Sequence, residues 1–304
     1  MKLKLLLAGL AVAAVTAGPA PAQEVTIGFI TKFPVPFFAT MEDGARAAAA
    51  DDGNIKLVFG VGESATDIEG QIRLIESMMV QGVDGIAITP VDPTVASSLD
   101  RAIENGVKVV LMDNNIPDWD GRSALATTDN FAAGVIAGKY LASVLSDGDT
   151  IGILEGVPGV PALDDRVNGM LEGLSGVGVE IVGRGATNCT EELGISVAEN
   201  LLTANPELKA IYAACGPPAA GAARAIENAG ISGDDIVLVG FDFCCGEAEA
   251  LQAGLEDATV AQFPFNMAKY GVEALATALR GGEVKSLIDS GAALVTPENM
   301  DKFQ

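Results

Sequence analysis

Short apolar runs alternate with longer stretches whose apolar residues recur every three or four positions, and the pattern persists from Val25 to about Arg280. The runs are continuous rather than alternating apolar and polar, which is the signature of strands covered on both faces. They predict strands at Val25–Ile30, Ile55–Phe59, Gly85–Thr89, Lys108–Met112, Ala124–Thr127, Thr150–Leu154, Glu180–Gly183, Ala210–Ala213, Ile236–Gly240 and Ala258–Gln262. Helical spacing predicts helices at Phe37–Asp51, Ile68–Gln81, Val95–Asn105, Phe131–Leu145, Leu163–Leu174, Leu193–Ala204, Ala219–Ala229 and Met267–Arg280. Gly82, Gly106, Gly230 and Gly281 follow the last periodic residue of four of these helices, where a left-handed cap belongs.

An unbroken βαβα order argues for an α/β fold with parallel sheets and helices on both faces. There is a weak repeat of form: the units entering Gly85–Thr89 and Ala210–Ala213 each pass from a helix through a short turn into a strand. Two similar lobes split near Thr127–Phe131 account for it, and the length agrees with two domains.

Residues 1–22 stand apart. Lys2 and Lys4, an apolar run from Leu5 to about Ala17, and Ala20-Pro21-Ala22 compose a secretory leader with a small-x-small cleavage site. The run is short for a membrane span, and no cysteine follows the cleavage site, so an exported, unlipidated periplasmic protein is expected. The formal charge is −23, and about −25 without the two leader lysines. Such acidity disfavours nucleic acid and anionic membranes. The chain has no histidine, which removes Ser-His-Asp and Cys-His mechanisms and the commonest metal ligand.

Ligands of open α/β sheets lie beyond the carboxyl ends of the strands, so the residues at those ends are the candidates. In the first half these are Lys32, Phe33, Phe37 and Phe38, then Thr89 and Asp92, Asp113 with Asn114 and Asn115, and Asp129 with Asn130. In the second half they are Arg166, Asn188-Cys189-Thr190, Cys215, Asp242 and Gln262. Carboxylates and amides exchange hydrogen bonds with hydroxyl groups, and aromatic rings stack on the apolar face of a sugar. Taken singly, Asp92 and Asp113 read as caps or turn formers, and Phe37 and Phe38 as packing for the first helix. The set, rather than any member, points to a small polyhydroxylated ligand.

From about Val25 to Gly282 the chain resembles periplasmic sugar-binding proteins of the ribose-binding-protein type, the solute-binding components of ABC importers. The match is carried in the first half by Pro36-Phe37-Phe38 with Asp43-Gly44-Ala45, by Gly85-Ile86-Ala87-Ile88-Thr89-Pro90 and by Val110-Leu111-Met112-Asp113. It continues through Thr128-Asp129-Asn130 with Gly134, Asp165-Arg166 with Gly169, Val239-Gly240-Phe241-Asp242 and Ala258–Gln262. The resemblance implies the type I periplasmic binding protein fold with a ligand cleft between the lobes. It places one lobe at residues 24–128 plus 263–292 and the other at 129–262 plus 293–304, with a hinge near Thr128, Phe263 and Ala292. It puts an aromatic wall on Phe37 and Phe38 and a hydroxyl acceptor on Asp113. Arg166, Asp242 and Gln262 become the contribution of the second lobe and its crossing strand. Asn114 stands where close relatives have arginine. Thr89 and Cys215 replace asparagines of a pentose-specific relative, and Cys189 replaces a phenylalanine, so ribose itself is not assumed.

All four cysteines follow strands of the second half on the ligand side. A Cys189–Cys215 disulfide in the pocket wall and a vicinal Cys244–Cys245 disulfide are expected; free thiols, or a crossed pairing such as Cys215 with Cys244, are the alternatives. No C-x-x-C motif or zinc spacing is present, so no metal or cofactor is expected.

The expected activity is binding rather than catalysis: a monomer closes its lobes on a neutral sugar or polyol and presents it to an ABC permease. Alternatives are the same module serving a chemoreceptor or sensor kinase, and a glycoside hydrolase using Asp113 and Asp242. A pentose, hexose, deoxy-sugar or linear polyol all fit. Lys32 keeps a sugar acid as a minority option, because Lys32 and Arg166 are set against Asp92, Asp113 and Asp242.

Overall fold

The computed structural model describes residues 23–303, so the leader expected at residues 1–22 lies outside the described residues. Among those described, no helix is long and apolar enough to cross a membrane.

Two six-stranded sheets form the two layers around which the helices pack. In the first sheet, β1 (Val25–Thr31) lies between the edge strand β2 (Ile55–Val61) and β3 (Gly85–Ile88), with β4 (Lys108–Met112) and β5 (Ala124–Thr127) beyond β3, all parallel. In the second, β6 (Thr150–Glu155) lies between β7 (Glu180–Ala186) and β8 (Ala210–Ala213), with β9 (Val237–Asp242) and β10 (Ala258–Gln262) beyond β8. The helices after β1 to β3 are α1 (Pro36–Asp52), α2 (Ile68–Val80) and α3 (Ala96–Glu104), and α4 (Asn130–Val144) follows β5. In the second half come α5 (Pro161–Leu174), α6 (Glu191–Ala204), α7 (Gly216–Asn228), a short α8 (Glu247–Gln252) and α9 (Pro264–Leu279).

Each sheet is sealed on both faces. Phe29, Val110, Met112 and Leu275 of α9 lie in one core of the first sheet, and Ile30, Ile86, Ile88 and Leu111 in the other. Tyr212 and Phe241 sit on one side of the second sheet, Leu154, Ile211 and Leu238 on the other. Such two-sided burial is why the strands read as continuous apolar runs.

Three features went beyond the periodic pattern. The strands β11 (Leu287–Asp289) and β12 (Ala292–Val295) were not predicted, because each is only three or four residues long and partly exposed. The β11 strand extends the first sheet parallel to β5, whereas β12 pairs antiparallel with β10, so the second sheet is not wholly parallel. The third is α8, which has six residues and too few turns to show a period.

The chain passes from one sheet to the other three times: after β5, after β10, and between β11 and β12. The passages are laced together. The Thr128 hydroxyl lies 3.2 Å from both the Ser290 hydroxyl and the Gly291 carbonyl, and the Ser290 amide donates to the Thr127 carbonyl at 2.9 Å.

Two glycines of the sequence motifs have a packing reason. A Cβ on Gly44 of α1 would stand 2.1 Å from the Phe265 carbonyl oxygen of α9, and one on Gly169 of α5 the same distance from the Phe131 carbonyl of α4. Only glycine lets those helix backbones approach so closely.

Candidate functional site

The strand ends of both sheets converge on a cavity between the two layers. Eleven of the twelve predicted binding residues line it: Lys32, Phe33, Phe37, Phe38, Asp113 and Asn114 from the first sheet's side; Arg166, Cys189, Cys215, Asp242 and Gln262 from the second.

Thr89 does not reach it. The carboxamide of Gln71 on α2, itself wholly buried, accepts from the Val91 amide at 2.8 Å and donates to the Thr89 carbonyl at 2.9 Å. This clamp turns the chain so that Val91 faces the cavity while the Thr89 hydroxyl is buried without a partner. Asp92 is also outside the cavity wall; its carboxylate accepts from the Thr94 amide at 2.8 Å, the helix-capping alternative.

The segment after β1 is built by its prolines. Pro34 and Pro36 hold Phe33 and Val35 out of helical conformation, and Pro36 starts α1 at the position where a missing N–H costs nothing. Phe37 and Phe38 therefore fall in the first turn of α1. Phe38 meets Phe37 and Phe33 edge to face, with centroids 5.3 and 5.2 Å apart. Phe33 is the more open ring, while Phe37 and Phe38 also enter the core of the first sheet. Packing and cavity lining are both true of them.

The charged groups form two pairs, one in each lobe. In the first, Lys32 Nζ stands 3.6 Å from Asp113 Oδ2. Burial is the main influence on both: it pushes the Asp113 carboxyl up and the Lys32 ammonium down, and each partner's charge draws the other part of the way back. In the second, Arg166 Nη1 donates to Asp242 Oδ1 at 3.0 Å and to the Ala214 carbonyl at 2.9 Å, and Nε donates to Asn130 Oδ1 at 2.9 Å. The guanidinium lies 4.0 Å from the centroid of the Phe241 ring. Asp242 also accepts from Gln262 Nε2 at 2.6 Å and from the Gly216 amide at 3.1 Å. With two cations and two carboxylates the lining is balanced in charge.

Backbone strain gathers here as well. Asp113, Asn188, Cys189, Asp242 and Phe243 all have positive φ, from 48° to 89°, although none is glycine. Residues in this region cost of order 1–3 kcal/mol each and persist where the surroundings hold them. Asp113, Cys189 and Asp242 line the cavity, and Asn188 and Phe243 are chain neighbours of lining residues.

Cys189 is disulfide-bonded to Cys215, with Cα atoms 5.8 Å apart, and Cys244 to its neighbour Cys245. All four line the cavity. The first pair packs with Val157, Val160 and Leu163, and Cys244, like Phe33 and Val35, packs against the core of the first sheet. Sequence reasoning missed the aliphatic share of the wall, Val35, Ala65, Val91, Val157, Val160 and Leu163. Single apolar residues in loops carry no periodic signal, and Leu163, in the first turn of α5, reads as helix packing.

The vicinal pair is held from beneath by Glu247, the first residue of α8, which is fully buried. Its Oε2 accepts from the amides of Cys244 and Cys245 at 3.1 and 2.5 Å, and its Oε1 is buried without a partner. Burial is the largest cause of a carboxyl pKa raised to about 7. A folded-state value above the unfolded one means that the folded protein binds the extra proton, so this group's contribution to stability is lost as pH rises towards and past 7. Glu247→Gln is expected to remove on the order of 2–3 kcal/mol from the difference in unfolding free energy between pH 5 and pH 8, read by urea denaturation at both. Parallel pH profiles for the two proteins would show that Glu247 does not titrate in this range.

A family model described as a periplasmic binding protein domain matches residues 27–283. The chain is 31% identical over 271 residues to the D-ribose/D-allose-binding protein of Pseudomonas aeruginosa, covering 86% of this chain and 85% of the relative. It is 31% identical over 280 residues to the ribose import binding protein of Bacillus subtilis, with 90% and 88% covered. Among solved structures, an ABC transporter solute-binding protein of Agrobacterium vitis with bound D-fucose superposes with a TM-score of 0.87 at 29% identity, over 91% of this chain and 97% of that one. These relatives are binding proteins rather than enzymes, and neither the hydrolase nor the sensory alternative finds support among them. The hydrolase reading also lacks a free carboxylate pair, because Asp113 and Asp242 are each paired with a cation of their own lobe. Fold, cleft position and relatives agree: the chain belongs to the periplasmic binding protein family, in its ribose-binding-protein type.

Proposed function

We propose that this chain is the extracytoplasmic solute-binding protein of an ABC sugar importer, exported by cleavage of residues 1–22 and acting in the periplasm as a monomer. It binds a small, uncharged sugar or polyol between the lobes of residues 24–128 plus 263–292 and 129–262 plus 293–304, and the closed form docks on the permease subunits. The three passages near Thr128, Phe263 and Ala292 serve as the hinge. The observation that carries the reading is the cavity itself, which sits at the strand ends of both sheets and takes one balanced ion pair from each. Closing a cleft requires a ligand that gains contacts with both lobes at once, and groups facing each other across it supply them. Lys32 and Asp113 serve from one side, Arg166, Asp242 and Gln262 from the other.

The test is thermal denaturation of the mature chain with D-ribose, D-allose, D-arabinose, D-fucose, common hexoses and linear polyols. A ligand at a hundred times its Kd stabilises the folded state by about 2.7 kcal/mol, a readily measured rise in Tm. At least one neutral sugar or polyol is expected to give that rise, and Asp113→Asn to abolish it. A response confined to sugar acids, or none, would remove the reading.

A further inference from the structure

Twenty residues line the cavity, yet only Lys32, Asp113, Asn114, Arg166, Asp242 and Gln262 bring polar side chains, so most of the wall offers a ligand no hydrogen bond. Even these six are largely spent within the protein. Arg166 has committed Nε and Nη1. Asp242 receives Arg166 and Gln262 on one oxygen and the Gly216 amide on the other. Asn114 donates its Nδ2 to the Pro90 carbonyl at 3.0 Å. What is left for a ligand is the Lys32 ammonium, the Asp113 carboxylate, Asn114 Oδ1, Arg166 Nη2 and Gln262 Oε1, the last buried with no partner.

The remaining wall is apolar on both sides of the cleft. The first lobe contributes Phe33, Val35 and Val91, and the second adds Val157, Val160, Leu163 and the two disulfides. Sulfur lies with both patches, because Cys244, like Phe33 and Val35, packs against the core of the first sheet, and Cys189–Cys215 packs with Val157, Val160 and Leu163. A sugar hydroxylated at every carbon would press hydroxyls against this surface, where a buried hydroxyl without a partner loses its hydration for nothing in return.

We propose that the ligand is amphiphilic: a small ring with hydroxyls along one edge and an unhydroxylated end, a deoxy or O-methylated sugar or cyclitol, in preference to its fully hydroxylated counterpart. The polar edge meets Lys32, Asp113 and Gln262, and the methyl or methylene end meets the valines and the disulfides. The inference rests on the sugar-binding reading and narrows it.

The experiment is calorimetric titration of the mature chain with matched pairs that differ at one position: D-galactose with D-fucose, L-mannose with L-rhamnose, and an inositol with its mono-O-methyl ether. The less hydroxylated member is expected to bind about 10- to 100-fold more tightly in at least one pair, and to be the weaker member in none, the range an apolar pocket achieves against an added hydroxyl. Tighter binding of the fully hydroxylated member in any pair, or equal binding in every pair that binds, overturns the proposal and leaves the sugar-binding reading intact. Silence from all pairs with a response to D-ribose or D-arabinose does the same. Silence from every sugar and polyol removes both.

Discussion

Arg166→Ala is expected to destabilise the second lobe by about 3–5 kcal/mol, the range for removing one partner of a buried ion pair. Arg166 is only 3% exposed and holds four things at once: the Asp242 carboxylate, the Ala214 carbonyl, the Asn130 side chain and the face of Phe241. Without it, Asp242 keeps Gln262 and the Gly216 amide but loses the cation it is ion-paired with. The backbone of Asp242, at φ 89°, loses part of what holds it there. Arg166→Lys should recover only part of the loss, since an ammonium cannot reproduce the planar fork that meets three acceptors. Urea denaturation followed by circular dichroism measures both variants. A loss under about 1 kcal/mol for the alanine variant would mean that the pair is solvated as a surface bridge is. Asp113 should behave differently. At φ 62° it tolerates asparagine, so Asp113→Asn is expected to keep the fold while it silences the ligand response.

The second large effect is expected from the Cys189–Cys215 disulfide. Its sequence separation is 26, and closing a loop of that length removes unfolded-chain entropy worth about 3–4 kcal/mol. The Cys189→Ala, Cys215→Ala double variant should lose that much, because the bridge ties the loop after β7 to the start of α7. The Cys244→Ala, Cys245→Ala variant makes the contrast. Its bridge joins adjacent residues and closes no loop of consequence, so stability is expected to change little while the cavity wall loses its sulfur surface. Thermal melts of the two variants, with intact mass after alkylation of the native protein without reductant, provide the measurement. Alkylated thiols in the native protein, or equal losses for the two variants, would refute this assignment of roles.

Most of the architecture was legible in the chain because its information is local. The continuous runs at Val25–Thr31 and Lys108–Met112 demand strands covered on both faces, and Gly82 and Gly230 close helices with φ of 71° and 67°. The prolines around Phe33 set the entry into α1 through sterics that act between neighbours. By the same logic, the position of the site could be read from the residues that follow each strand. Resemblance to a family supplied the rest of that reading, and Lys32, Asp113, Arg166, Asp242 and Gln262 do meet across one cavity.

Local information did not reach the short edge strands β11 and β12, the six-residue α8, or the exclusion of Thr89. That exclusion depends on Gln71, eighteen residues earlier on α2, whose carboxamide pins the turn and sends Val91 inward instead. Nor did it reveal that each charged residue of the cleft already has a partner in its own lobe, which leaves a narrow polar edge in an apolar chamber. By itself, then, the sequence determined two α/β lobes, a cleft at their strand ends and the residue types offered to it, because periodicity, capping and turn chemistry act over a few residues. Which of those groups remain free for a ligand was decided only by tertiary structure, because hydrogen-bond satisfaction depends on partners brought together from distant parts of the chain.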